Sequence, residues 1–416
     1  LSRWRVSRFA STLAAFALLA ALTGCGGGRM VAAPAGSPQS PYGGARPPAG
    51  EALPPGPPVA AGPVKVALLA PLTGANADLG KSMLEAAQLA LFTTGGDQLT
   101  LLPRDTAGTA EGAAAAARSA VGEGAKLILG PLLAAEVEAV KPVARDARVN
   151  VIAFSTATQL AGGNVFLMGF LPRQEIVREV SFARDKGFGR FAALAPNSQY
   201  GHLMTDALRE AAGASGGSVV KIEYLDPRSG DLATPIQRLL SSSGRGAPAS
   251  DAPPAASVAF DALLLPEGGA QLKQIAQQLQ QTGLDMSHVR LLGSGLWDDA
   301  SVAGEAALTG GWFAASPPEP RREFESRFQS TYGHPAPRLA SLAFDAAALA
   351  AVLAKGGGVP FSQEAILNPS GFTGVDGLFR FTPQGLVQRG LAVLEVQPGG
   401  NVVVSPAPAN FQDSPS

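Results

Sequence analysis

Cysteine is all but missing: the 416 residues contain one, Cys25, which excludes a disulfide framework and any thiolate metal cluster. Histidine is nearly as scarce. His202, His288 and His334 lie far apart without metal-ligand spacing, which argues against a catalytic zinc site. Charge is thin, at 16%, and balanced: Lys+Arg 32 against Asp+Glu 33 leaves a formal net charge of -1. With no basic run, nucleic acid is excluded as a partner class. No apolar run reaches the roughly 20 residues that a membrane-spanning helix needs. What the chain does have is 46% hydrophobic residues, enough for a sizeable core, and 50 Gly and 34 Pro spread unevenly. At roughly 150 residues per domain, its length predicts two or three domains or lobes.

The uneven distribution begins at the N-terminus. Arg3, Arg5 and Arg8 precede an apolar stretch from Phe9 to Leu22, the pattern of a secretory signal peptide. Leu22-Thr23-Gly24-Cys25 then resembles a bacterial lipobox, with the chain's single cysteine at the position that motif requires. The resemblance implies cleavage after Gly24 and lipidation of Cys25, anchoring residue 25 onward to a membrane through acyl chains. Gly26 stands where an Asp would mark inner-membrane retention in enteric lipoproteins, which favours the outer membrane. Removing residues 1–24 deletes three arginines and no acids, so the mature chain carries 29 against 33, or -4.

From residue 25 to Pro63 the sequence is largely Pro, Gly and Ala and reads as a tether without a core of its own. At Val64 the pattern changes. Val64–Ala70 reads as a buried strand, Lys81–Thr94 as a helix, and strand and helix then alternate through Val151–Phe154. A second such series runs from about Arg173 to Tyr332, interrupted by a Ser/Gly/Pro/Ala insert at Ser241–Ser257. Alternation of this kind predicts an α/β fold in two lobes, each a mostly parallel sheet with helices on both faces. The expected partition is lobe 1 at 64–172 plus 336–405, lobe 2 at 173–335, and a disordered tail at 406–416.

Three segments mimic catalytic motifs. Gly74-Ala75-Asn76-Ala77-Asp78-Leu79-Gly80-Lys81-Ser82 is one residue too long for a phosphate-cradling loop and places Asp78 where phosphates would sit. Ser218-Val219-Val220-Lys221 continues into a strand, so its serine and lysine point to opposite faces. Ser294, in Gly293-Ser294-Gly295, lacks the first glycine of a nucleophile elbow because Leu292 occupies that place. Carboxylates at helical spacing read as solvated helix faces. No constellation supports an enzyme, and no cofactor is implied.

In order along the chain stand Val66-Ala67-Leu68-Leu69-Ala70-Pro71-Leu72-Thr73-Gly74, Ile128-Leu129-Gly130-Pro131, Val151-Ile152-Ala153-Phe154-Ser155-Thr156, Tyr200-Gly201, Pro266-Glu267-Gly268-Gly269 and Phe372-Thr373-Gly374. In sequence and spacing they resemble type I periplasmic binding proteins of the leucine/isoleucine/valine family, over about Val64 to Val404. With the lipobox, the tether and Arg104-Asp105-Thr106, the chain most resembles the lipoproteins called penicillin-binding protein activators.

That resemblance implies a ligand cleft between the lobes. On one wall the serines of leucine receptors are replaced by Pro131-Leu132-Leu133-Ala134, while Ser155, Thr156 and Thr158 survive beyond the fourth strand. The opposite wall would present Tyr200, Glu267, Trp297 and Asp298. The ammonium-binding acid of leucine receptors falls near Gly295, leaving Asp298 or Glu267 to replace it. The reading is a non-enzymatic periplasmic lipoprotein that regulates, as an activator, a peptidoglycan synthase (a penicillin-binding protein); the alternative is a solute-binding receptor delivering amino acids or related small polar compounds to an ABC permease.

Overall fold

The computed structural model describes residues 62–226, 228–241, 258–286, 288–299, 302–356 and 359–411. The expected leader at 1–24, the lipidated Cys25, nearly all of the 25–63 tether and residues 242–257 of the insert lie outside them.

The first lobe begins with β1 (Val64–Ala70), α1 (Ala77–Thr94), β2 (Leu99–Asp105), α2 (Ala110–Gly122), β3 (Leu127–Leu129), α3 (Ala134–Asp146), β4 (Asn150–Ala153) and β5 (Val165–Leu167). Its strands form one parallel sheet in the order β2-β1-β3-β4-β5. Both faces are covered. Val66, Leu68 and Ala70 pack toward α1, and Ala67 and Leu69 toward the alanine face of α2. That double burial is why β1 is apolar at every position from Val66 to Ala70 instead of alternating.

The second lobe holds α4 (Pro172–Asp185), β6 (Arg190–Pro196), α5 (Gln199–Ala214), β7 (Ser218–Leu225), α6 (Ala233–Leu240), β8 (Ala262–Leu264), α7 (Gly269–Gln281), β9 (Arg290–Leu292) and β10 (Trp312–Ala315). The chain then returns to lobe 1 with α8 (Pro318–Tyr332), α9 (Ala340–Lys355), α10 (Gln363–Ile366) and a small antiparallel sheet of β11 (Phe372–Gly374), β12 (Gly377–Phe381) and β13 (Val387–Arg389). It ends in β14 (Ala392–Gln397) and β15 (Gly400–Ser405).

Three features correct the sequence partition. β14 pairs antiparallel with β10 and β15 with β14, so residues 392–405 extend the second sheet rather than the first. Ala392, Leu394 and Val396 point into the lobe 2 core, burial that a strand beside lobe 1 would not obtain. Helix α8, expected in lobe 2, lies on lobe 1: Phe324 and Phe328 pack on Ala86 and Leu89 of α1, and the Tyr332 hydroxyl donates to Glu85 O at 2.8 Å. The tail is ordered through Phe411, which is 7% exposed beneath the Arg380 guanidinium at 4.4 Å.

The chain therefore crosses between the lobes at 168–171, 316–317 and 390–391. Phe170, in the first crossover, is held between two guanidinium groups, Arg338 at 3.9 Å and Arg389 at 4.9 Å. Arg389 Nη2 also donates to Met168 O at 2.8 Å, tying the third crossover to the first. Arg338 pairs with the buried Asp376 at 2.9 Å. Burial raises the Asp345 carboxyl to about 7, and the neighbouring Asp376 adds to the effect. Burial also lowers the Arg389 guanidinium, against the pull of both aspartates. The charges sit at the crossovers, packed against aromatic faces.

Candidate functional site

The first crossover leaves lobe 1 at the carboxyl end of β5, and the second leaves lobe 2 at the carboxyl end of β10, which runs parallel to β9. The carboxyl ends of both parallel sheets thus border the crossovers, where ligands of open α/β sheets bind. Each sheet reverses its strand order there: between β1 and β3 in lobe 1, and between β6 and β8 in lobe 2.

On the lobe 1 wall, Asp105 at the end of β2 shapes the loop after β1. Burial alone would raise its carboxyl; the bond from Thr73 Oγ1 and those from the backbone N–H groups of Ala107, Thr73 and Leu72 hold it below the ordinary range. Gly80 is required for packing. A Cβ there would lie 2.1 Å from Pro71 O, so this glycine admits α1 against the end of β1, and Lys81 stays solvated. Beyond β3, Leu132 and Leu133 line the wall, and Leu133 N donates to Glu136 Oε2 at 2.9 Å. Glu136 is 0% exposed and its Oε1 has no hydrogen-bond partner. Beyond β4, Ser155 is buried with its hydroxyl accepting from Ala157 N at 3.2 Å, while Thr156 and Thr158 are exposed.

The lobe 2 wall is acidic. Glu175 and Glu179 stand one turn apart on one face of α4, which begins at a helix-compatible Pro172. Four helical residues rise about 6 Å, close to the span of two extended residues. Two strand-end amides are met in register: Gly293 N donates to Glu179 Oε1 at 3.0 Å and Gly295 N to Glu175 Oε2 at 2.8 Å. Gly293 is required sterically, and Gly295 leaves room for the Glu175 carboxyl. A Cβ at Gly293 would fall 2.2 Å from the Trp297 ring, and one at Gly295 would fall 2.7 Å from Glu175 Oε1. The Glu175 carboxyl therefore fills the space of a side chain at 295.

Burial pushes Glu175 up to about 7, against the Gly295 bond and the Arg338 charge, with Asp298 adding to the rise. Burial likewise raises Glu179 well above the carboxylate range, opposed by the Gly293 bond and reinforced by Glu175. Glu179 is 1% exposed and its Oε2 is unpartnered. The Tyr200 phenol is raised by burial, opposed by a hydrogen bond with Ser294, and raised further by Glu175, Glu267 and Glu179. Glu267 is itself raised by burial.

Of the expected site residues, the structure gathers Tyr200 and Glu267 on the lobe 2 wall and keeps Ser155, Thr156 and Thr158 together beyond β4. Two are corrected. Trp297 is 0% exposed, its indole N–H donating to Leu265 O at 3.2 Å, and it packs the lobe 2 core. The Asp298 carboxylate receives both Nη groups of Arg321, from α8 on lobe 1, and is committed to that ion pair. By helical spacing alone Glu175 and Glu179 read as a solvated face, whereas Glu179 is buried and both carboxyls accept strand-end amides. The available signal was that helical pair together with the alternate glycines of Gly293-Ser294-Gly295, 120 residues away from Glu175.

A hollow of about 620 Å³ lined by Lys141, Arg145, Arg148 and Asn150 lies at the amino ends of β4 and β5, away from the cleft. Much of its polarity is already used: Lys141 donates to Leu160 O, Arg145 pairs with Asp146, and Asn150 donates to Phe361 O.

A model of the family described as periplasmic binding protein matches residues 63–401. No curated protein matches the chain. Among solved structures, a putative branched-chain amino acid ABC transporter from Rhodospirillum rubrum is 21% identical with a TM-score of 0.71, covering 82% of this chain and 100% of its own. A branched-chain amino acid transporter substrate-binding protein from Streptococcus pneumoniae, in complex with isoleucine, is 18% identical with a TM-score of 0.57, covering 83% and 100%. A solute-binding protein of an ABC transporter from R. palustris, in complex with benzoate, is 18% identical with a TM-score of 0.57, covering 84% and 98%. Among the described residues no helix is long and apolar enough to cross a membrane.

Proposed function

The chain belongs to the periplasmic binding protein family, and from that premise we propose that it is the solute-binding receptor of an ABC transporter, capturing a small polar organic compound in the cleft between its lobes. The single observation that carries this reading is the Glu175 carboxyl in the space of a side chain at Gly295. The position at which leucine receptors are expected to hold an ammonium thus regains an acid, supplied from a helix. The charges of Glu175 and Glu267 both act on Tyr200, and Ser155, Thr156 and Thr158 stand beyond β4 on lobe 1. The related structures, described as ABC transporter proteins, support this reading over that of a peptidoglycan-synthase regulator. Lipidation at Cys25 would hold the receptor at a membrane outside the cytoplasm, with the tether giving it reach.

Calorimetry of the full chain against amino acids, their amides, amines and aromatic acids tests the proposal. Saturable binding of one class at one site per chain is expected. Silence across the panel, combined with direct stimulation of a purified peptidoglycan synthase, would reverse the reading.

A further inference from the structure

The two walls of the cleft are chemically lopsided. A free amino acid needs donors for its carboxylate and an acceptor for its ammonium, and here the acceptors gather on lobe 2 while lobe 1 offers the exposed hydroxyls of Thr156 and Thr158. On lobe 1 the opening of α3 presents Leu132 and Leu133, and the Leu133 N–H is already taken by Glu136 Oε2 at 2.9 Å. A ligand carboxylate brought there would meet two apolar side chains, with the Leu133 amide committed to the capping contact at the start of α3. On lobe 2 the charges of Glu175, Glu267 and Glu179 all act on the Tyr200 phenol. Among the described residues Glu179 Oε2 is buried without a hydrogen-bond partner. The cations nearby are engaged. Arg338 is paired with Asp376 and stacked on Phe170, and Arg321 is spent on Asp298.

We propose that the cleft takes a small organic ammonium compound without an α-carboxylate, with Glu175 as its counter-ion, Tyr200 and Glu267 beside it, and its apolar part against Leu132 and Leu133. This rests on the receptor reading and narrows its substrate class. An ammonium group supplies three donors and no acceptor. It fits a wall of carboxyl oxygens whose accessible partners are otherwise two glycine amides. The threonine hydroxyls of lobe 1 are left for a neutral polar group on the ligand, such as a hydroxyl or amide.

The test compares matched probes on the full chain by calorimetry and thermal shift: benzylamine against benzoate, and 3-methylbutylamine against leucine. The amine of each pair is expected to bind at least tenfold more tightly. Glu175→Gln should weaken amine binding at least tenfold while leaving the fold intact by circular dichroism, and Glu175→Asp should recover part of the loss. Glu267→Gln serves as the second variant should Glu175→Gln misfold, with a smaller loss of the same sign. Tighter binding of leucine or benzoate than of the matching amine would overturn the ammonium assignment and leave the receptor reading standing. Amine binding indifferent to both glutamine variants would overturn the site. Absence of binding by all four probes overturns the ammonium assignment, and the receptor reading then falls to the wider panel.

Discussion

Asp298, at the carboxyl edge of the lobe 2 sheet, and Arg321, in the first turns of a lobe 1 helix, form a two-pronged ion pair, with Arg321 Nη2 2.8 Å from Asp298 Oδ1. Their side chains are 8% and 11% exposed, so the pair is shielded from water and from salt. Removing Asp298 leaves the shielded Arg321 with the more distant Glu325 carboxylate, at 3.6 Å, as its ion-pair partner. Asp298→Asn is therefore expected to destabilise the protein by about 3 kcal/mol, read by urea denaturation, whereas Asp298→Leu with Arg321→Met should recover most of that loss. A loss under about 0.5 kcal/mol would mean that the pair is solvated.

The Glu175 carboxyl gives stability a definite pH dependence. Its proton is held to about pH 7 in the folded state, against an ordinary value of 4.5. The folded state thus binds more protons than the unfolded chain between those limits, and stability falls as pH rises through that window. Glu175→Gln removes this dependence. The variant should gain on the wild type between pH 4.5 and 7, by on the order of 2 kcal/mol, and hold a constant lead above. Parallel curves of unfolding free energy against pH would refute it.

The glycine that completes the false phosphate loop serves the fold. Gly80→Ala would drive a Cβ to 2.1 Å from the Pro71 carbonyl oxygen, a backbone atom that moves only with α1 or the end of β1. A loss of about 3 kcal/mol is expected. Lys81→Ala, at a solvated position, should change stability by less than about 0.5 kcal/mol. Magnesium-dependent ATP binding that Lys81→Ala abolishes would show that the loop holds phosphate after all.

Phe170 pins the crossovers through its two guanidinium neighbours. Phe170→Leu keeps apolar bulk and loses the cation–π attraction, a cost of about 1 kcal/mol. Phe170→Ala also opens a gap among partly buried groups, a cost of about 3 kcal/mol. Urea melts of the two variants separate these terms, and a Phe170→Leu variant as stable as the wild type would show that packing alone acts at this position.

The sequence by itself determined the two alternating α/β series, because strands buried on both faces must be apolar, as β3, β8 and β1 from Val66 onward are. Tyr200 and Glu267 lie a few residues past the ends of β6 and β8, so local periodicity is enough to place them near the carboxyl edge of that sheet. Lobe membership of α8 and β14 was decided only by the tertiary structure. Chain order does not say which sheet edge a returning strand will pair with, and the antiparallel match of Ala392–Glu395 to Trp312–Ala315 does. The same holds for the acid of the site. Glu175 meets Gly295 because one helical turn matches two residues of extended chain, and that register exists only once α4 packs beside β9. Trp297 and Asp298 fell on the right strand end, but packing turned one into core and gave the other to Arg321.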